Sequence, residues 1–423
     1  MLLSKLLRRF LRRGTIVVIA PNNRSEVVAA TDEPKVTIRL TRRLTALKLM
    51  AAPNFFVGET YMTGELIIEQ GSLRDLLSML LQSIDDNAQL TFADTLRARI
   101  APLLDYLFSI GNSRKAIRHV QSHYDRSEKL FEAFLDPNRQ YSCAYFPSVS
   151  KSTDKPVETI AAAQISKMEH IAAKLRLQPR AGPAADASTQ MRVLDIGSGW
   201  GGLAEFLCRS YPNLHITGIT LSENQCRYSR DKRLPRTEFH LRDYRDEKGT
   251  YDRIVSVGMF EHVGLAHFDG YFSQIENLLK QDGIALVHTI GRRGIPTPIN
   301  IWIRRRIFPG AYLPSLSQLA AAIERTGLWI LDCENLRIHY ALTLRCWHER
   351  LVAIKDQLDG QFYRMWEFYL IACEMGFLHQ GLTVYQLLLA KKPDAAPLTR
   401  DFMYEEESRL RDVIADSAAG KAA

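Results

Sequence analysis

The 423-residue chain has only six cysteines, Cys143, Cys208, Cys226, Cys333, Cys346 and Cys373, and no two stand in C-x-x-C spacing. That absence argues against the common zinc sites. Thiols so few and so scattered fit a reducing compartment rather than a disulfide-stapled secreted chain. Long apolar runs are missing as well. The stretch at 16–20 is typical, whereas a helix needs roughly 20 apolar residues to cross a bilayer. Any membrane contact is therefore expected to be peripheral. The opening MLLSKLLRRFLRR interleaves charge with leucine, so it lacks the separate apolar core of a signal peptide. The expected location is the cytoplasm. No internal repeat is visible.

What the chain does have is an excess of base: 55 Lys and Arg against 47 Asp and Glu, a net charge of +8. Such a balance suits nucleic acid, an anionic membrane surface or an acidic ligand, and charge alone does not choose among them. On a helix, Leu3, Leu6, Leu7, Phe10 and Leu11 fall mainly on one side, with Lys5, Arg8, Arg9, Arg12 and Arg13 over much of the rest. That pattern fits a basic amphipathic helix on an anionic surface, or a packed surface helix with solvated arginines. Residues 14–110 read as a small α+β domain. Strands are expected at 36–40 and 65–68, a turn at Tyr61-Met62-Thr63-Gly64, and helices at 73–81 and 90–107.

From residue 112 to 150 the chain is rich in Tyr, Phe, His and Cys, and a helix is expected at 158–177, followed by a loop at 178–189. Strands at 192–197, 214–220, 238–241, 253–259 and 283–290 then alternate with helices at 202–209, 223–231 and 271–279. Alternation of this kind predicts an α/β fold, a parallel sheet with helices on both faces. Residues 301–315 read as an irregular basic and apolar insertion, 340–374 as mostly helical, 382–391 as a late strand, and the tail as frayed.

Residues 193–202, VLDIGSGWGG, sit between a strand and a helix, where backbone N–H groups can approach a ligand closely. Gly197, Gly199 and Gly202 satisfy G-x-G-x-x-G, so a nicotinamide dehydrogenase has to be weighed. Three features favour S-adenosylmethionine. Asp195 stands two residues before the first glycine. Its carboxylate can meet a cationic amino or sulfonium group but would repel a pyrophosphate. No acid ends the second strand, where a dehydrogenase would grip the ribose; Gly218-Ile219-Thr220 stands there. The unit also starts near residue 190, behind a long helical and aromatic segment. A glycine turn needed only for packing would leave Asp195 unexplained.

DIGSGWGG, GITLSENQ, FEHVG and LVHTIG, with HYDRSEKLFEAFLDP at 123–137 and YSCAYF at 141–146, resemble the cyclopropane-fatty-acid and mycolic-acid cyclopropane synthases, a family of S-adenosylmethionine-dependent class I methyltransferases. The resemblance runs from residue 112 to 391, and GETYMTGELI is similar to the amino-terminal domain of the phospholipid-acting branch. It implies a Rossmann-like, mostly parallel seven-stranded sheet with a smaller α+β domain before it. The implied division is 1–111, 112–395 and a tail at 396–423. It also implies that Tyr124, Tyr141 and Ser142 close over S-adenosylmethionine, while Asp195, Gly197 and Gly199 hold its methionine part. Thr220 and Gln225 would contact the ribose side, and Asp243 and Tyr244 would border the adenine. Cys143, Glu261, His288, Ile290 and Tyr340 match positions that bind a bicarbonate ion in the family, partly through backbone groups.

The implied reaction adds a methylene to a cis double bond of an unsaturated phospholipid acyl chain. An alkene is a poor nucleophile, so a cationic methyl donor, a base and a dry pocket are needed. Bicarbonate is small enough to reach a proton flanked by lipid. On this reading Glu261, His288 and Tyr340 orient it, with backbone N–H groups near Cys143 and Ile290 completing the site. Taken singly, Cys143 reads as a small core residue, His288 as a core histidine and Tyr340 as packing; their co-occurrence in the family pattern points to function. The expected partners are unsaturated phospholipids and the anionic inner face of the membrane. The first thirteen residues and IWIRRRIF at 301–308 are the candidate contacts. The family is often dimeric, so a homodimer is allowed. No recognition module or N-P-P-Y-like motif supports a nucleic-acid substrate. A methyl-branched lipid product and an inactive lipid-binding protein are the alternatives. Asp195, Glu261 and His288, all present, stand against the second.

Overall fold

Beyond residue 190 the alternating stretches assemble into one sheet. The computed structural model describes residues 2–86, 128–148, 158–177, 190–294 and 296–419. They fall into two compact units, each discontinuous in sequence. The expected helix at 90–107 and the loop at 178–189 lie outside the described residues.

The first unit takes the described part of Met1–Leu104 together with Arg293–Pro309 and Tyr340–Thr383. Its sheet contains β1 (Thr15–Ile19), β2 (Ser25–Ala29), β3 (Lys35–Leu40) and β4 (Leu66–Gln70), in the order β2-β1-β3-β4. β1 and β3 are parallel; the β1–β2 and β3–β4 pairs are antiparallel. Val36, Ile38 and Leu40 of β3 are buried, as the alternation predicts. Tyr61 and Met62 close the helix Pro53–Met62, which Pro53 opens at a position where a missing N–H costs nothing. The helix Gly360–His379 packs on Leu73–Asp86 and on Pro53–Met62. Its wholly buried Glu374 is held by Arg74 and Arg345.

The basic insertion is not irregular throughout. Ile301–Arg306 is a helix, and the Asn300 side chain caps it by accepting from the N–H groups of Trp302 and Ile303. A capping asparagine before a short apolar run was the missed signal. Trp302 is fully buried edge-on against Phe368, with ring centroids 4.7 Å apart, so it is core rather than a membrane contact. Arg306 pairs with Glu59, and Arg305 lies over the Phe55 ring.

The second unit holds β5 (Met191–Ile196), β6 (Leu214–Thr220), β7 (Thr237–Leu241), β8 (Tyr251–Val257), β9 (Leu279–Arg292), β10 (Trp329–Asn335) and β11 (Leu382–Ala390). The seven strands run in the order β10-β11-β9-β8-β5-β6-β7. Every pairing among β5 to β9 is parallel and β10–β11 is antiparallel, so the sheet is the mostly parallel α/β arrangement expected. The chain leaves β5 for β6 on one side, while β8 pairs on the other. That reversal opens a crevice beyond the strands' carboxyl ends, where open α/β sheets bind ligands.

Two apolar cores cover the two faces. One joins Ile171, Leu175, Leu207 and Leu286 with Met403 and Leu410. The other joins Phe260, Tyr271, Phe272, Ile275 and Leu319. Met403 and Leu410 belong to the carboxyl-terminal helix Asp401–Ala419, which packs on the helix Ile160–Leu175. The tail was expected to fray, but its apolar residues at 403 and 410 face a core and hold it.

Candidate active site

The glycine loop leaves β5 at Ile196 and enters the helix Gly202–Ser210. The N–H groups of Gly197 and Ser198 both donate to the Ile219 carbonyl, at 2.9 and 3.0 Å, which ties the loop to the end of β6. Gly197 has φ of 80°, and a Cβ there would lie 2.8 Å from that of Met259. Any other side chain would be strained and would collide.

Around this loop a single cleft is lined by Tyr141, Ser142, Asp195, Gly197, Gly199, Thr220, Gln225 and Tyr244. All eight were singled out in the sequence as cofactor contacts. Two others are not among them. Tyr124 lies outside the described residues. Asp243 does not line the cleft: its carboxylate turns to Arg245, accepting from the backbone N at 3.0 Å and from the guanidinium Nε at 2.9 Å. Arg139, Trp200, Met259 and His262 line the cleft too and were not foreseen there. Thr220 Oγ1 donates to Gln225 Oε1 at 2.9 Å, so these two side chains are placed together.

Asp195 is the most unusual wall residue. It is 3% exposed, and among the described residues its Oδ2 has no hydrogen-bond partner. Burial pushes its carboxyl up to about 7, opposed by Lys167. A buried carboxylate oxygen without a donor is costly, and a cationic amino group brought to the cleft would satisfy it. Lys167 was missed in the sequence, where nothing sets it apart from other helix-surface lysines. Wholly buried, it donates to Ser142 Oγ at 3.0 Å and to Gln140 Oε1, bracing the irregular segment that carries Tyr141 and Ser142. Burial lowers its ammonium to about 8.

A second group of residues begins in the turn after β8. Met259 and His262 line the cleft, and Glu261 lies between them in sequence. Glu261 is buried, and its Oε1 accepts from the Ile290 N–H at 2.6 Å. Its Oε2 has no partner among the described residues, and burial raises its carboxyl to about 7. The backbone donor expected at Ile290 is therefore already given to Glu261. His288 stands two residues earlier on β9, so its side chain and that of Ile290 project to the same face. Burial lowers its imidazolium to about 3. Its Nδ1 meets Gln386 Nε2 at 3.1 Å. Cys143 follows Ser142, is buried, and directs its thiol to the Ala144 carbonyl at 3.3 Å. Tyr340 belongs to the first unit, buried against Phe377 and Trp347.

Known proteins resemble this chain in sequence and in fold. A family model described as mycolic acid cyclopropane synthetase matches residues 111–387. The cyclopropane-fatty-acyl-phospholipid synthase of Escherichia coli strain K12 is 36% identical over 342 residues, covering 79% of this chain and 82% of that protein. The tuberculostearic acid methyltransferase of Mycobacterium tuberculosis is 35% identical over 350 residues, covering 79% of this chain and 78% of that protein. Among solved structures, a mycolic acid cyclopropane synthase complexed with SAH and CTAB superposes with a TM-score of 0.56 at 32% identity, covering 64% of this chain and 97% of that one. With a sheet of this order, a glycine loop beside Asp195 and relatives that match most of its length, the chain belongs to the cyclopropane synthase family of S-adenosylmethionine-dependent methyltransferases.

Proposed function

We propose that the enzyme uses S-adenosylmethionine to convert the cis double bond of an unsaturated phospholipid acyl chain into a cyclopropane ring, with bicarbonate as the base. The observation that carries this reading is the pair of buried carboxyls, Asp195 and Glu261, each with one oxygen lacking a donor among the described residues. The relatives named for acting on fatty-acyl phospholipids and mycolic acids support the lipid substrate.

When bound, S-adenosylmethionine supplies a methyl group on a cationic sulfur, and bicarbonate supplies a small base. The acyl double bond is the nucleophile: its π pair forms the new C–C bond as the S–CH₃ bond breaks toward sulfur. A proton then leaves the added carbon, and the pair it leaves behind closes the ring onto the cationic acyl carbon. The protein's own groups position and shield these events. Asp195 takes the ammonium of the methionine part, and the glycine loop lets it approach the backbone. Tyr141 and Ser142, braced by Lys167, line the same cleft. Glu261 Oε2 holds the anion through a shared proton, since two bare anions would repel. With its carboxyl raised to about 7, that proton can come from either partner. Cys143, His288 and Tyr340 are the further residues proposed for the anion, while Ile290 serves it through Glu261, whose Oε1 its N–H holds; Tyr124 and Asp243 remain proposed cofactor neighbours.

Expression in a host lacking cyclopropane lipids, followed by fatty-acid mass spectrometry, tests the product. The expected acid is heavier than its unsaturated parent by one CH₂ and has no alkene. A methyl-branched saturated acid, two hydrogens heavier still, would instead assign the alternative reading. In the purified enzyme, Glu261→Gln should lower turnover on the order of 100-fold with little change in S-adenosylhomocysteine binding.

A further inference from the structure

Behind β9 runs a buried polar chain that the mechanism above does not use. His288 Nδ1 meets Gln386 Nε2 at 3.1 Å, and Gln386 Oε1 accepts from Lys174 Nζ at 2.8 Å. Lys174 also pairs with Glu334, which bonds His170 Nε2 at 2.6 Å. His288, Gln386 and Lys174 are each 2% exposed or less. These groups come from β9, β11, β10 and the helix Ile160–Leu175, so tertiary packing fixes their mutual positions.

The chemistry of the three groups leaves one arrangement. An ammonium has only hydrogens to offer. Lys174, held as an ammonium by the Glu334 carboxylate, must therefore face the oxygen of the Gln386 amide. The NH₂ of that amide is then what faces His288. A donor at Nδ1 requires a lone pair there, which excludes both the imidazolium and the Nδ1–H tautomer. We infer that Gln386, oriented by Lys174, locks His288 as the neutral Nε2–H tautomer, so that His288 acts as a hydrogen-bond donor and not as the base. Nδ1 is occupied, and Nε2 bears a proton rather than a lone pair. Gln386 and Lys174 are accordingly positioning residues, acting through His288. The tautomer follows from this chain alone; its value to catalysis rests on the reading above, in which His288 faces an anion that needs donors.

The test is ¹⁵N NMR of histidine-labelled full-length enzyme, with His288→Gln used to assign the ring. The ring nitrogens of His288 should show Nε2 protonated and Nδ1 bare. Gln386→Glu replaces the donor with an acceptor, so the proton should move to Nδ1. Lys174→Met frees the amide, so both tautomers should be populated. Turnover of Gln386→Glu should fall on the order of 100-fold, the usual loss when one anion-facing donor is removed, at unchanged S-adenosylhomocysteine affinity. A wild-type ring protonated at Nδ1 overturns the inference, and that measurement stands even if the Gln386 and Lys174 variants fail to fold. Gln386→Glu with inverted tautomer and full turnover would overturn the donor role. None of the NMR readouts requires lipid or bicarbonate, so a wrong substrate assignment would leave the tautomer result intact and be seen separately.

Discussion

Asp195 carries a pH dependence that can be worked out from its surroundings. Its carboxyl ionises near 3.8 when exposed and at about 7 in the folded protein, because burial disfavours the charge. Between those values the unfolded chain binds fewer protons at this position than the folded one, so the residue's contribution to stability falls as pH rises through that window. A cationic ligand reverses the preference by pairing with the charged form. Affinity for S-adenosylhomocysteine should therefore weaken as pH drops below about 7, approaching tenfold per pH unit. Asp195→Asn should flatten that dependence and weaken binding throughout. Isothermal titration calorimetry from pH 5 to 8 checks both, and a pH-independent wild-type affinity would refute the role. At this scale Asp195 and its glycines were legible because they lie within one strand-to-helix turn, whereas Tyr141, Ser142, Thr220, Gln225 and Tyr244 came from the resemblance to the family and not from their spacing. Lys167 and Gln386 were not legible. A buried lysine and a buried glutamine look like surface residues until the fold brings partners to them.

The elements repeat that lesson. β5, β6, β8 and β9 were visible because each contains an apolar run next to a helix, and β7, with only Phe239 buried, was read from the same alternation. β10 was not: Trp329 and Ile330 are exposed, and Asp332 and Glu334 interrupt it, as befits a sheet's edge strand. The carboxyl-terminal helix was hidden for another reason. Eight of its nineteen residues are charged, and besides Met403 and Leu410 a clamp fixes it: His170 bonds Glu407 through Nδ1 and Glu334 through Nε2, both at 2.6 Å. Burial alone would lower the His170 imidazolium, but the two carboxylates outweigh it and the net shift is upward. The Glu334 carboxyl is depressed despite its burial, chiefly by His170. The signs set a window. The clamp's contribution is lost as pH falls through the acid range where Glu334 protonates, is full just below the ordinary histidine value, and is lost again as pH rises through the raised value of His170. His170→Gln should cost on the order of 3 kcal/mol near pH 6, as expected when one member of a buried ionic cluster is removed. The gap in melting temperature between wild type and variant should narrow toward pH 9. A gap that does not vary with pH would mean that His170 acts only by packing.

For the whole molecule, the sign of the charge was plain but its target was not, because +8 can serve several kinds of partner. Two compact units built from interleaved segments could not be foreseen either, since the helices at 301–306 and 360–379 join the amino-terminal residues only through tertiary packing. The structure narrows the question by showing which apolar groups are exposed beside base. No described helix is long and apolar enough to cross a membrane. In the helix Leu2–Phe10, Leu3 is buried, while Leu2 and Leu6 are 67% and 48% exposed. One turn apart, they share a face, with Lys5 and Arg9 also exposed beside them. Trp302, by contrast, is withdrawn into the core. An acyl double bond lies below the lipid headgroups, so the proposed activity requires docking, and this helix combines leucines that can insert with charge that can steer. Each basic group near an anionic surface contributes about 1 kcal/mol, and each fully inserted leucine about 1.5–3 kcal/mol. Sedimentation with phosphatidylglycerol vesicles should therefore show binding that 0.5 M salt weakens strongly and that neutral vesicles hardly support. Leu2→Ser with Leu6→Ser should weaken binding on the order of 100-fold while leaving its salt sensitivity in place, since the charge remains. Lys5→Gln with Arg9→Gln should do the reverse, lowering both affinity and salt dependence. Binding unchanged by either pair would exclude this helix as the docking element.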